Sequence, residues 1–298
     1  MTATRLFQVA DGTSLAFRDA GAGPAVLALA GLTRDGRDFD YLARRLSHVR
    51  LIRLDSRGRG GSDWTGPDSY TVPQEAQDAL ALLDHLKIER AAIIGSSRGG
   101  LLGMVIAATA PGRVAGLCLN DVGPVLERAG LERIGRYVGE KPAVDTLAEI
   151  ADRMPLVMPG FDAVPEMRWV EETLRHYVET PDGLGLPYDP ALKIALDKAM
   201  AGPLADAWPL FSACEDIPLA LIRGCNSDVL TRETADAMQI RRPDLIRVDL
   251  PDRGHIPFLD EPAALVAIDL WLGRCFPGGY RRAFAALGAD PQADPQRG

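Results

Sequence analysis

The sequence predicts an α/β protein with a mostly parallel, eight-stranded sheet, helices on both faces and a helical insertion. Three observations carry that expectation. Short apolar runs at 25–29, 49–54, 91–94 and 114–119 alternate with helical patterns, the signature of a parallel sheet covered on both sides. The run at 91–94 passes through Gly95-Ser96-Ser97-Arg98-Gly99 into a stretch rich in Leu, Met, Val, Ile and Ala, so a glycine-flanked turn joins strand to helix. From about 123 to 213 the alternation stops, and helical patterns broken by prolines replace it.

In chain order, the runs at 7–9 and 15–19 alternate around Asp11-Gly12 and predict an opening antiparallel hairpin with a two-residue turn. The four apolar runs follow, with helices expected at about 39–46, 72–86 and 99–110, the last closed by Pro111-Gly112. The insertion should hold helices at 127–138, 144–154, 166–179 and 190–199, interrupted by Pro155, Pro159, Pro165, Pro181, Pro187 and Pro203. Strands at 218–223 and 245–250 complete the eight, with a helix near 231–240 between them and a final amphipathic helix at 262–276. This divides the chain into a core of residues 1–122 and 214–280, an inserted cap at 123–213, and a polar, proline-rich tail at 281–298 expected to be disordered. Met154, Met158, Phe161, Trp169, Tyr177, Tyr188, Trp208 and Phe211 are read as the core of the cap.

Composition narrows the partners. The 298 residues are 47% hydrophobic and 25% charged, with a net charge of -8; that is an ordinary globular balance, and without a basic run it disfavours nucleic acid and anionic membranes. No stretch is long enough to cross a bilayer, and the N-terminus reaches polar residues too early for a signal peptide. Cys118, Cys214, Cys225 and Cys275 are scattered, without a close Cys-x-x-Cys pair or histidines at zinc-ligand spacing. The expectation is a cytoplasmic protein with reduced thiols, no metal and no cofactor, with a homodimer compatible with the composition.

In a parallel sheet the ligand site lies beyond the carboxyl ends of the strands. The tight turn there forces Ser97 into strained backbone angles and requires small neighbours at Gly95 and Gly99. The following helix start aims N–H groups and a positive dipole end at any developing anion, so Ser97 is placed to attack a carbonyl. A serine hydroxyl needs a base, usually histidine oriented by a carboxylate. Of the four histidines, His48 leads into a strand, His85 lies in a helical pattern and His176 lies on a helix of the insertion. Only His255 falls in a loop directly after a sheet strand. Two acids between Ser97 and His255 follow strands, Asp228 and Asp121; Asp228 is favoured because it would let the histidine reach the serine from the opposite side, and Asp121 is the alternative.

Acyl transfer also needs donors for the oxyanion, each worth ~3 to 4 kcal/mol. The N–H of Arg98, directly after Ser97, is one; the N–H of Leu32, beside the flexible Gly31, is the other. Arg34 and Arg98 could hold a substrate carboxylate, although a structural ion pair is the stronger reading of both side chains. The glycine loop at 58–61 lacks dinucleotide-binding spacing and reads as a structural turn.

Together, Ala30-Gly31-Leu32, Asp55-x-Arg57-Gly58-x-Gly60-x-Ser62, Gly95-x-Ser97-x-Gly99, Gly224-x-x-Ser227-Asp228 and Gly254-His255 resemble the α/β-hydrolase superfamily over about residues 12–276. The resemblance implies hydrolysis of a small to medium, largely apolar carboxylic ester or lactone, with Ser97, Asp228 and His255 carried over as the triad. Ala30 departs from the His-Gly of many relatives, but this removes a side chain and leaves the N–H donor. Relatives that cleave haloalkanes or epoxides place aspartate where this chain has Ser97. The resemblance leaves two alternatives, a C–C bond hydrolase of diketones or ring-cleavage products with the same triad, and a catalytically silent ligand-binding member.

Overall fold

The computed structural model describes residues 2–46 and 48–280, so the expected disordered tail at 281–298 lies outside the described residues. The chain opens with β1 (Arg5–Gln8), β2 (Ser14–Ala20), β3 (Ala25–Leu29), α1 (Asp40–Ala43) and β4 (Arg50–Leu54). It continues through α2 (Val72–His85), β5 (Ala91–Ser96), α3 (Arg98–Thr109) and β6 (Val114–Asn120). Between β6 and the next strand of the large sheet come α4 (Arg128–Gly135), α5 (Leu147–Val157), α6 (Glu166–His176), the small hairpin β7 (Val178–Thr180) and β8 (Gly183–Gly185), α7 (Leu192–Met200) and α8 (Trp208–Ser212). The chain returns with β9 (Leu219–Gly224), α9 (Arg232–Arg241), β10 (Ile246–Leu250) and α10 (Pro262–Cys275).

The eight-stranded sheet has the order β1-β2-β4-β3-β5-β6-β9-β10. β2 is antiparallel to β1 and β4, and every later pairing is parallel. Side chains of successive strand residues point to opposite faces, and the core divides accordingly. Leu27, Leu29, Ile93, Leu117 and Leu221 pack with Leu82 and Leu83 of α2, Leu102 and Ile106 of α3, and Met238 of α9. Val26, Ala28, Ile94, Cys118 and Ile222 pack on the other face with Leu42 of α1 and with Ile268, Trp271 and Leu272 of α10. Both faces of the central strands are dry, which is why they read as unbroken apolar runs.

Local chemistry sets the helix starts. The Thr71 side chain accepts from Gln74 N–H ahead of α2, and Thr146 and Glu149 form a reciprocal cap on α5. The register Ser96↔Asn120↔Ile222 aligns the ends of β5, β6 and β9, so the loops after them converge.

Several expectations need correction. The opening turn spans residues 9–13 because Asp11 Oδ1 accepts from Thr13 N–H at 2.9 Å, which lengthens the predicted two-residue connection. α5 runs through Pro155 to Val157 and does not stop before it. The helix expected to 179 ends at His176, and the chain turns at Pro181-Asp182-Gly183 into the β7–β8 hairpin. Trp208 and Phe211 pack on the main sheet core with α3 and do not belong to a separate core of the insertion. Among the described residues no helix is long and apolar enough to cross a membrane.

Candidate active site

Ser97 joins β5 to α3 with φ 50° and ψ −119°, a conformation that costs a non-glycine residue ~1–3 kcal/mol. Its neighbours show why the turn needs glycine. A Cβ on Gly95 would lie 2.4 Å from Gly99 backbone atoms, and one on Gly99 only 2.0 Å from Leu29 O. The Ser97 N–H donates to Asn120 O at 2.9 Å, which fastens the turn to the end of β6.

His255, in the loop after β10, reaches this serine with Nε2 2.9 Å from Ser97 Oγ. Its Nδ1 lies 2.7 Å from Asp121 Oδ2. A carboxylate at Nδ1 makes that nitrogen the donor and leaves Nε2 free to accept the serine proton. Asp121 is fully buried, and its charge is met by two more donors: Ser227 Oγ at 2.6 Å and Gly224 N–H at 2.8 Å. A buried carboxylate needs such partners.

The favoured acid, Asp228, is therefore corrected: the structure places Asp121 on His255. The reason is sheet order. β6 lies between β5 and β9, so the residue after β6 is one strand from Ser97, while the last residue of β9 and the loop after it contribute the N–H and the hydroxyl that hold Asp121. Asp228 turns instead to Arg133 of α4, with Oδ1 2.9 Å from Nη2. The Arg133 hydrogen bond holds the half-exposed Asp228 carboxyl below the usual carboxylate range.

The loop after β3 runs alongside, since a Cβ on Gly31 would lie 3.7 Å from Ser97 Cβ. Neither the Leu32 N–H nor the Arg98 N–H has an acceptor among the described residues, and Leu32 lines the same cavity as Ser97. A buried network links the two sides of this gap. Arg59 Nε donates to Leu32 O at 2.7 Å and its Nη1 to Glu75 Oε1 at 2.9 Å. Arg98 donates to the same Glu75 carboxylate at 2.8 and 3.0 Å and to Tyr70 O at 2.9 Å. Burial works to raise the Glu75 pKa, but the two arginines together pull it below the usual range. Arg98 is thus a structural ion pair whose side chain points away from the cavity. Arg59 sits in the glycine loop read as a plain turn, and nothing local in the sequence marks its reach to Leu32.

The cavity of about 210 Å³ holds Ser97 and His255 with an apolar side that includes Leu32, Met154, Met158 and Phe258. Its polar lining includes Arg34, Arg133, His176, Tyr137 and Tyr177 together with the carboxylates Asp38 and Glu172. Arg34 is paired with Asp38 at 2.8 Å and Glu172 at 2.9 Å, not with the adjacent Asp35, which binds Arg37. Burial raises Asp38 to about 6 despite the Arg34 charge. Burial also holds His176 well below the usual imidazole pKa, and Arg34, Arg175 and Arg37 push the same way. Among the described residues no group of three or more His, Cys, Asp or Glu is placed to hold a metal ion.

Comparison with known proteins agrees with this architecture. Residues 26–268 match the Alpha/beta hydrolase family. The chain is 38% identical over 255 residues to a 3-hydroxybutyrate-oligomer hydrolase of Cupriavidus necator, covering 82% of this chain and 87% of that protein. It is 26% identical to a putative 2-succinyl-6-hydroxy-2,4-cyclohexadiene-1-carboxylate synthase of Bacillus subtilis, over 85% of this chain and 92% of the relative. Among solved structures, an alpha/beta hydrolase from Novosphingobium aromaticivorans superimposes with a TM-score of 0.84 at 39% identity, covering 92% of this chain and 98% of that one. Sheet order, the strained serine turn and these matches together make the chain a member of the alpha/beta hydrolase family.

Proposed function

We propose that the protein is a serine hydrolase of small carboxylic esters, with short oligoesters of hydroxy acids, such as those named for the Cupriavidus relative, as its substrate type. The observation that carries the reading is the hydrogen-bonded line Ser97–His255–Asp121 at 2.9 and 2.7 Å inside a cavity. Ser97 Oγ attacks the ester carbonyl carbon while its proton moves to His255 Nε2, and Asp121 stabilises the imidazolium. The unpartnered Leu32 and Arg98 N–H groups receive the oxyanion. Collapse of the tetrahedral intermediate expels the alcohol, which takes the proton from His255 Nε2 and leaves an acyl group on Ser97. Water, deprotonated by the same nitrogen, then attacks the acyl carbon, releases the acid and restores Ser97. In this reading residues 123–213 act as a cap that roofs the cavity and sets what fits.

A serine-directed phosphonate tests the reading: one adduct is expected, on Ser97, and Ser97→Ala should lose ester hydrolysis while keeping its melting temperature. Labelling elsewhere, or an active Ser97→Ala variant, overturns it. A panel of 4-nitrophenyl butyrate, the linear 3-hydroxybutyrate dimer, a lactone and a diketone separates ester from C–C cleavage, with turnover of the first two expected.

A further inference from the structure

The wall of the cavity carries hydrogen-bond donors that the protein itself does not use. Arg34 lines the cavity and is one-tenth exposed; its Nε and Nη2 are taken by Asp38 and Glu172, and its Nη1 lies closed off behind the wall without a protein partner. Arg133 spends Nε and Nη2 on Asp228, which leaves Nη1 outside that pair. Tyr137 lines the same cavity, where burial raises its phenol pKa, the Arg133 and Arg34 charges lower it and the Asp228 charge raises it. Tyr177 adds a second hydroxyl within the field of Arg34. An unfilled buried donor is costly, and a guanidinium beside phenols suits an oxygen acceptor carrying charge. The paired carboxylates fix both arginines in place, so little ordering would remain for a ligand to impose.

Resting on the ester-hydrolase reading above, we propose that Arg34 and Arg133, with Tyr137 and Tyr177, form a subsite for a free carboxylate, so that the preferred substrates are acidic esters bearing a terminal carboxylate. The subsite shares its cavity with Ser97, so one end of the substrate is held by charge while its ester lies at the nucleophile. Arg133 comes from α4, within the stretch inserted between β6 and β9, and therefore reads the substrate from the roof, whereas Arg34 reads it from the loop after β3.

The test compares the linear 3-hydroxybutyrate dimer with its terminal carboxamide, which keeps the shape and removes the charge. Binding is measured calorimetrically on Ser97→Ala protein, so the result does not depend on turnover. The acid should bind at least about 10-fold tighter than the amide, the range of one charge-assisted hydrogen bond. Arg133→Gln should reduce that preference about 10-fold, Arg133→Lys should keep part of it, and Asp228→Asn should raise it by freeing Arg133 from its counter-charge. A purely structural role for the pair would move acid and amide together in every variant. Equal binding of acid and amide overturns the subsite, and so does a preference that Arg133→Gln leaves intact. Failure of the wild type to cleave 4-nitrophenyl butyrate or the dimer is a separate result: it removes the ester reading, and the calorimetry still decides the subsite.

Discussion

The loops that end β6 and β9 lie side by side, each carries an aspartate, and only one aspartate meets the histidine. Asp121 is sealed from solvent and receives three donors, Gly224 N–H, Ser227 Oγ and His255 Nδ1. Asp228, 39% exposed, pairs with Arg133 and is open to solvent. The end of β9 and the loop after it thus support the carboxylate at the neighbouring strand end. An acid at a strand end is common; what distinguishes Asp121 is a closed set of donors, which holds a buried charge in one orientation. The same orientation is what a histidine needs to keep one tautomer.

The sharpest way to break this comparison is to neutralise each acid in turn. Asp121→Asn should lower kcat on a neutral ester about 10⁴-fold, as loss of the orienting acid does in other Ser-His-Asp sites, whereas Asp228→Asn should change it less than about 3-fold. Steady-state kinetics of the two variants decides, and the reverse order would put the acid back after β9.

The buried Arg59–Glu75–Arg98 link behind the Leu32 and Arg98 N–H groups comes next in size. Glu75→Gln should leave Arg59 and Arg98 without their shared counter-charge and lower kcat about 10²-fold, comparable to losing one oxyanion donor, with KM nearly unchanged. Affinity for a boronate analogue of the tetrahedral intermediate should fall in parallel while product affinity holds. If KM carries the loss instead, the network shapes the pocket and not the donors.

Ser227→Ala sharpens the comparison from the supporting side. It removes one of the three donors to Asp121, and a hydrogen bond to a charged group implies a fall in kcat of about 10-fold. Burst kinetics should show the loss in acylation.

The smallest effect is on stability. Because Arg133 lowers the Asp228 pKa, the pair stabilises the fold above the unfolded carboxylate pKa, and that contribution is lost as pH falls through the folded value. The pair is partly exposed, so solvent limits it to at most about 1 kcal/mol. Asp228→Asn should lower Tm by under about 3 °C at pH 7, and the difference should narrow as pH falls below the unfolded aspartate pKa of about 3.9; a gap that widens in acid would reverse the sign.

The residues that were legible in the sequence are those fixed by local rules. Ser97 follows from two glycines that no side chain can replace, and His255 from being the one histidine in a loop after a sheet strand. The strand expected at 91–94 and the helices expected at 72–86 and 99–110 follow from the apolar pattern and from Pro111-Gly112, and the structure has them at 91–96, 72–85 and 98–109. Asp121 was not fixed in this way, because choosing it requires knowing that β6 neighbours β5, a fact of sheet order with no local sign. Arg59, Glu75 and Arg133 act across 16 to 95 residues of chain, and each looks like an ordinary surface charge until the fold brings its partner close.

The position of Asp121 ahead of the inserted helices also bears on how such a protein can change over time. Ser97 and Asp121 are joined by one helix and one strand, α3 and β6, both ahead of the stretch inserted between β6 and β9. Lengthening, trimming or exchanging the stretch at 123–213 therefore leaves their spacing untouched, and only the returning strand β9 must find its old neighbour again. A lineage, or an engineer grafting a foreign stretch there, can alter what lines the cavity while the Ser97–Asp121 spacing stays as it was.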